Sequence, residues 1–165
     1  MRHASPTLHA IARIYGFIIK VGSNLQSLFL LYMRLTWGLI LIVSGIGKLH
    51  AIEKTAAYFT TLHISHPYFN AYLVGWVEFL GGICLTIGFA SRLAAIPLIF
   101  LLVTALGTAH AGNISHFRFL FDPLTLVNQT PYPFLITCLM VFVFGPGRLS
   151  IDAWLKRWSE KRPKY

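Results

Sequence analysis

Acidic residues and cysteines are scarce in this chain of 165 residues. Only 5 aspartates and glutamates stand against 14 lysines and arginines, which gives a formal net charge of +9 at pH 7. Two cysteines are too few for a disulfide scaffold, and 12% charged residues is about half of what a soluble domain carries. This shortage of charge excludes an ordinary water-soluble domain and a disordered chain.

Apolar residues take the place of the missing charges: 56% of the chain is hydrophobic, and its mean hydropathy is +0.65. Four stretches approach the roughly 20 apolar residues with which a helix crosses about 30 Å of hydrocarbon. The fourth is the shortest; it can begin at Pro131 and it stops at a Gly-Pro-Gly sequence. The sequence therefore predicts an all-α integral membrane protein, a four-helix bundle with spans at Phe29–Gly47, Ala71–Ala90, Leu93–Gly112 and Tyr132–Gly145.

The lysines and arginines outside the spans are shared unevenly between the two sides of the membrane. Ten of them lie before the first span, in the short second connection or after the fourth span, whereas the other side holds Lys48, Lys54 and Arg118. Positive residues accumulate on the cytoplasmic side, so both termini are predicted to be cytoplasmic. The loops at 48–70 and 113–130 then face outward.

Amphipathic segments flank the spans at both ends of the chain. Residues 1–27 carry apolar side chains at helical spacing, with Arg13 and Lys20 elsewhere on the helical wheel, which predicts an interfacial helix on the inner leaflet. Residues 149–165 combine tryptophans and basic residues in the same way. We therefore divide the chain into an interfacial segment (1–27), a four-helix transmembrane domain (28–148) and an amphipathic basic tail (149–165).

The sequence between the fourth span and the tail has a structural interpretation, with a role in binding as the alternative. Gly145 to Gly147 end the span, and Ser150 is suited to cap the N-terminus of the tail helix. Asp152 then lies in the first turn, where its charge complements the helix dipole.

Two charged residues within spans need partners or a polar cavity, because a charge in hydrocarbon is costly. Glu78 lies in the second span among glycines at helical spacing, and glycines mark close helix contacts. In the first span, a seam at steps of three and four residues is formed by Arg34, Gly38, Leu41, Gly45 and Lys48.

We predict that Arg34, Lys48 and Glu78 form one polar cluster between the first two spans, reached from the outer side past His110. A side chain of lysine or arginine is long enough to approach Glu78 from either end of the seam. The cluster is either a structural ion pair that fixes helix register or a pocket for a ligand, and both interpretations stay open.

Other chemistry has little support in the sequence. The histidines of the two outward loops, His50, His63, His66 and His116, contain no pair at i, i+4 and have no cysteine near them, so we predict no metal site. The chain also has no phosphate-binding loop, dinucleotide fingerprint, hydrolase triad or haem motif. We therefore do not expect it to be a catalyst on its own.

Several short sequences nevertheless follow one another in a characteristic order. They are Arg34 in the first span, Gly45–Leu49 at its end, Glu78–Gly82 in the second span, Gly88–Arg92 at the turn and Gly145–Asp152 after the fourth span. Over about residues 31–155 this pattern resembles the DoxX family of small bacterial membrane proteins. The resemblance implies a four-helix bundle in the bacterial inner membrane. It also implies relatives linked to quinone-reducing oxidoreductases and to membrane-associated redox or maturation complexes.

Different classes of function are compatible with these features. The first is a subunit or anchor of a membrane-associated oxidoreductase or maturation complex, with a soluble or membrane redox partner. In it, a quinone or another small ligand would bind beside Arg34, Lys48, Glu78 and His110. The second is a small proton-coupled carrier or channel-like protein for a solute or metal ion, since an intramembrane carboxylate flanked by cations is typical of proton pathways. The third is an assembly factor without a ligand. No nucleic acid is expected among the partners, because the basic residues follow the positive-inside pattern.

Overall fold

A computed structural model describes residues 6–109 and 127–160 of the chain. Within these two ranges there are helices and no strands. His110 and most of the connection at 113–130 lie outside them. The described helices are α1 (Pro6–His50), α2 (Ile52–Thr61), α3 (Pro67–Ile87), α4 (Ser91–Ala109), α5 (Pro131–Phe144) and α6 (Ile151–Glu160).

Helix α1 is 45 residues long and runs from the N-terminal segment through the first span. The helix therefore continues through residue 27, and the division there into an interfacial segment and a transmembrane domain stays a prediction. The helix is continuous there because only Gly16 and Gly22 interrupt the helical pattern before the span, and an interior glycine weakens a helix without ending it. The location of residues 1–27 on the inner leaflet stays a prediction.

Among the described helices, three are long and apolar enough to cross a membrane: Ala12–His50 within α1, Pro67–Ile87 and Ser91–Thr108. The fourth apolar helix, α5, has 14 residues and is about 21 Å long. It begins at Pro131 and ends before Gly145, whose φ of 81° suits a glycine. The prediction of a four-helix membrane bundle is confirmed.

The four apolar helices form a ring in which sequence neighbours pack together. α1 packs along α3, α3 contacts α4, α4 packs along α5, and α5 closes the ring against α1. Trp37 of α1 meets Phe134 of α5 edge to face, with ring centroids 5.1 Å apart. Leu41, Leu85, Leu98 and Val141 are among the side chains buried at the centre.

Helix α2 lies in the connection at 48–70, which was predicted to be an outward-facing loop without a helix of its own. Ile52, Thr55, Ala56 and Phe59 repeat at i, i+3, i+4 and i+7, and α2 packs against α3 with Ala56 buried. The same spacing was visible in the sequence and could have predicted this helix.

Candidate functional site

Glycines bring α1 and α3 into backbone contact. An added Cβ at Gly45 would lie 2.5 Å from the backbone nitrogen of Phe79 and 2.8 Å from the carbonyl oxygen of Gly75. At Gly82 an added Cβ would lie 3.0 Å from the carbonyl oxygen of Gly38. Only glycine allows helices to approach this closely, so the seam of α1 faces the Glu78 side of α3.

Glu78 is paired with Lys48 across this contact. Lys48 Nζ lies 2.5 Å from Glu78 Oε2, and the Ser44 hydroxyl donates to the same oxygen at 2.9 Å. Lys48 also donates to Ser44 Oγ at 2.7 Å, so the three side chains form a closed triangle. The Glu78 side chain is 8% exposed and that of Lys48 28% exposed. We call Ser44, Lys48 and Glu78 the Glu78 site.

The Glu78 site keeps hydrogen-bonding capacity after its internal bonds are made. Both bonds to the carboxylate end on Oε2, so Oε1 accepts none from the described residues. An ammonium group has three donors, and Ser44 and Glu78 occupy two of those of Lys48. The site can therefore offer one acceptor and one donor to a third group.

Arg34 does not belong to this site, and the prediction of a single three-residue cluster is wrong in this respect. Its Nη2 donates to the carbonyl oxygen of Leu149 at 2.6 Å, and Nη1 packs so closely on Gly88 that any Cβ there would overlap it. Arg34 and Lys48 share a face of α1 but are about 21 Å apart along its axis. Arg34 therefore takes the partners that lie at its own end of the bundle.

Asp152 joins the start of α6 to the turn between α3 and α4. Its Oδ1 accepts from the Ala90 nitrogen at 2.7 Å and its Oδ2 from the Ser91 nitrogen at 2.9 Å. Its own backbone nitrogen donates to the carbonyl oxygen of Gly88 at 2.9 Å. Asp152 thus caps α4, and its charge attracts the nearby Arg34, which is 1% exposed.

The local role predicted for Ser150 is confirmed, because its Oγ accepts from the Ala153 nitrogen at 3.1 Å and caps α6. The contact of Asp152 with α4 was missed. It joins residues 61 and 62 positions apart, and no local pattern in the sequence indicates it.

The Glu78 site and the glycine contact both lie within residues 38–82. The profile of the DoxX family matches residues 29–111, half of the chain. The chain belongs to the DoxX family. This DoxX chain is 30% identical over 125 residues to the Bacillus subtilis (strain 168) protein named "Putative oxidoreductase CatD", covering 76% of this chain and 85% of that protein.

A second DoxX relative is the Escherichia coli (strain K12) protein named "Inner membrane protein YqjF". It is 29% identical over 140 residues, which cover 82% of this chain and 98% of YqjF. No solved structure matches the chain significantly.

The other residues of the predicted DoxX site add little to this geometry. His110 lies outside the described residues. Within those residues, no three side chains of His, Cys, Asp or Glu come together as a metal site would require. An apolar groove of about 290 Å³ lies between α3 and α4, lined in part by Trp76, Leu80 and Pro97. Trp76 and Leu80 face away from Glu78, because two residues along a helix turn it by about 200°.

We expect Asp152→Ala to lower the free energy of unfolding by about 2 kcal/mol, because it removes a charged cap from α4 and a neutralising partner from Arg34. The measurement is the thermal unfolding midpoint of the purified chain in mild detergent. Glu160→Ala, which removes an exposed acid from the same helix, is the matched control and should change the midpoint little. Equal midpoints for the two variants would contradict the capping role.

Proposed function

We propose that this chain is a membrane subunit or anchor of an oxidoreductase complex in the bacterial inner membrane, and that the Glu78 site binds a quinone head group. The observation that carries the proposal is the paired Lys48 and Glu78 between α1 and α3, with one donor and one acceptor that no residue of the ranges 6–109 and 127–160 uses. The names of CatD and YqjF support the oxidoreductase link and the inner membrane respectively.

The chemistry of the site fits a quinone. A quinone carbonyl accepts a hydrogen bond, for which Lys48 has a remaining N–H, and the hydroxyl of the reduced form donates one, for which Glu78 Oε1 is free among the described residues. A bound quinone supplies two-electron, two-proton chemistry. Lys48 would orient the carbonyl, and Glu78 would hold or release the proton at Oε1. The electrons would come from a partner protein.

The test is to purify the tagged full-length chain from bacterial membranes in mild detergent, then extract and quantify quinones by mass spectrometry. We expect quinone in the purified protein, and about tenfold less after Glu78→Gln or Lys48→Met, since each removes a charged hydrogen-bonding group. Glu53→Gln and Lys54→Met make the same changes at exposed positions of α2 and should leave the quinone content unchanged.

The two parts of the proposal fail separately. Quinone content at the level of a control membrane protein would refute the ligand. Cross-linking in whole cells that captures no redox protein would refute the role as a subunit or anchor.

The partial exposure of Lys48 also favours a second candidate, a small proton-coupled carrier. A carboxylate within the membrane that can exchange its partner is a typical element of a proton pathway. Proteoliposomes with an imposed pH gradient distinguish the two functions. A carrier collapses the gradient when its solute is added and loses this activity with Glu78→Gln, whereas a redox anchor leaves the gradient intact.

The proposed orientation, with both termini in the cytoplasm, predicts a labelling pattern. Ser65→Cys, between α2 and α3, should react with a membrane-impermeant thiol reagent added to intact spheroplasts. Ser159→Cys, in α6, should react only after the membrane is permeabilised. The unmodified chain is the control, because Cys84 and Cys138 lie within α3 and α5. The reverse pattern would overturn the orientation.

A further inference from the structure

Helix α6 presents an exposed apolar stripe. Ile151, Trp154, Leu155 and Trp158 follow one another at i, i+3, i+4 and i+7 and so fall on one side of the helix. Their exposed fractions are 38%, 63%, 38% and 50%. No residue of α6 is fully buried, and Asp152 and Ala153 are the two that are partly buried. The first turn of α6 is bound to the bundle through Asp152, and the apolar stripe is partly exposed to the surroundings along the whole helix.

Basic side chains flank this stripe. Lys156 and Arg157 lie on the other side of α6, and the Arg157 guanidinium donates to the carbonyl oxygen of Arg148 at 3.2 Å. The acid in the first turn, Asp152, is already engaged by the backbone of Ala90 and Ser91. Glu160 is the other acid of α6 and is exposed, but the exposed Arg148, Lys156 and Arg157 outnumber it, so the accessible charge around the stripe is net positive.

The attachment of α6 fixes its depth relative to the spans. Asp152 binds the turn at which α3 ends and α4 begins, and Arg148 donates its backbone N–H to Ser27 of α1 at 3.4 Å. The ends of membrane-spanning helices lie at the boundary between hydrocarbon and headgroups. Tryptophan is enriched at this boundary because its ring is apolar and its N–H is polar.

We infer that α6 binds anionic phospholipid headgroups at this boundary, and that Asp152 couples this binding to the start of α4. The apolar stripe enters the headgroup layer, while Lys156 and Arg157 contact lipid phosphates. A second copy of α6 is a poorer occupant, because it would bring the same cations together. Four side chains on a helix about 15 Å long also fall well short of the roughly 800 Å² per partner of a stable interface.

The test is hydrogen exchange of the full-length chain in nanodiscs, made either of phosphatidylcholine or of equal parts phosphatidylcholine and phosphatidylglycerol. We expect the amides of α6 to exchange more slowly in the anionic discs. In the double variant Lys156→Gln/Arg157→Gln, the ratio of the α6 exchange rates in neutral and anionic discs should fall by about thirtyfold. This is the contribution of two basic side chains near an anionic surface. Arg13→Gln/Lys20→Gln removes the same charge from exposed positions of α1 and should leave the ratio of exchange rates in α6 unchanged.

The coupling between lipid binding by α6 and the start of α4 is measured separately, by amide exchange at residues 88–93. The amides of residues 88–93 should also exchange more slowly in the anionic discs, and Asp152→Asn should abolish this effect there while leaving the protection of α6. Equal exchange of α6 in both kinds of disc would refute binding selected by lipid charge. Protection that appears only in discs holding two copies would identify a second copy as the occupant. Slowing at 88–93 that survives in Asp152→Asn would refute the coupling.

Discussion

Replacing Glu78 with alanine is expected to lower the free energy of unfolding by about 3 kcal/mol, because it leaves Lys48 without a carboxylate inside the bundle. Ser44 loses its acceptor at the same time. Glu78→Gln keeps an acceptor oxygen of the same reach, so we expect it to cost only about 1 kcal/mol. Both variants remove the negative charge, so the order of the two reports on the acceptor oxygen that Lys48 and Ser44 keep in Glu78→Gln, together with the volume of the side chain.

The measurement is chemical and thermal unfolding in mixed micelles, with the double variant Lys48→Met/Glu78→Ala as a further comparison. Without the lysine no charge is stranded, so the double variant should be more stable than Glu78→Ala. Small and equal effects of alanine and glutamine would mean that Glu78 is not part of a buried pair. A stable Glu78→Gln variant that has lost its quinone would separate binding at the site from its contribution to folding.

Gly45→Ala should destabilise the protein about as much as Glu78→Ala does, lowering the free energy of unfolding by about 3 kcal/mol. The new methyl group would meet backbone atoms of Phe79 and Gly75, which cannot rotate away as a side chain can. This steric overlap can be removed only if α1 and α3 move apart, and that movement also lengthens the contact between Lys48 and Glu78. We therefore expect loss of ligand together with loss of stability.

The matched control for this prediction is Gly47→Ala, two residues further along the same helix. A Cβ at Gly47 meets nothing within 4 Å, and alanine favours the helix by up to about 1 kcal/mol. The unfolding midpoint of this variant should equal or exceed that of the parent chain. If both glycine variants were equally stable, α1 and α3 would not be in backbone contact at Gly45.

Features that depend on helical spacing were predictable from the sequence. The seam of α1 was read from steps of three and four residues, and Arg34, Gly38, Leu41 and Gly45 are all buried along it. The pairing of Lys48 with Glu78 followed from the cost of leaving a carboxylate alone in hydrocarbon. The role of Ser44 was not predicted, because a single serine on an apolar helix does not by itself indicate a site, although Ser44 lies one turn before Lys48.

The partners of Arg34 could not be predicted in the same way. The sequence places Arg34 at a depth from which its side chain could extend toward either end of the bundle. The choice depends on where the carbonyl oxygen of Leu149 and the carboxylate of Asp152 lie after the fourth apolar helix has packed. Contacts between residues more than a hundred positions apart are properties of the assembled bundle and not of any local pattern.

Helix α1 is much longer than a membrane crossing requires. From Pro6 to His50 it covers about 68 Å along its axis, more than twice the thickness of the hydrocarbon layer. Ser27 contacts Arg148, so the bundle still holds α1 at this turn, and the 21 residues that precede Ser27 in the helix continue about 32 Å further. Ile14 and Phe17 in this part are 62% and 69% exposed. Their apolar side chains are therefore not covered by the bundle and are available to lipid or to another protein.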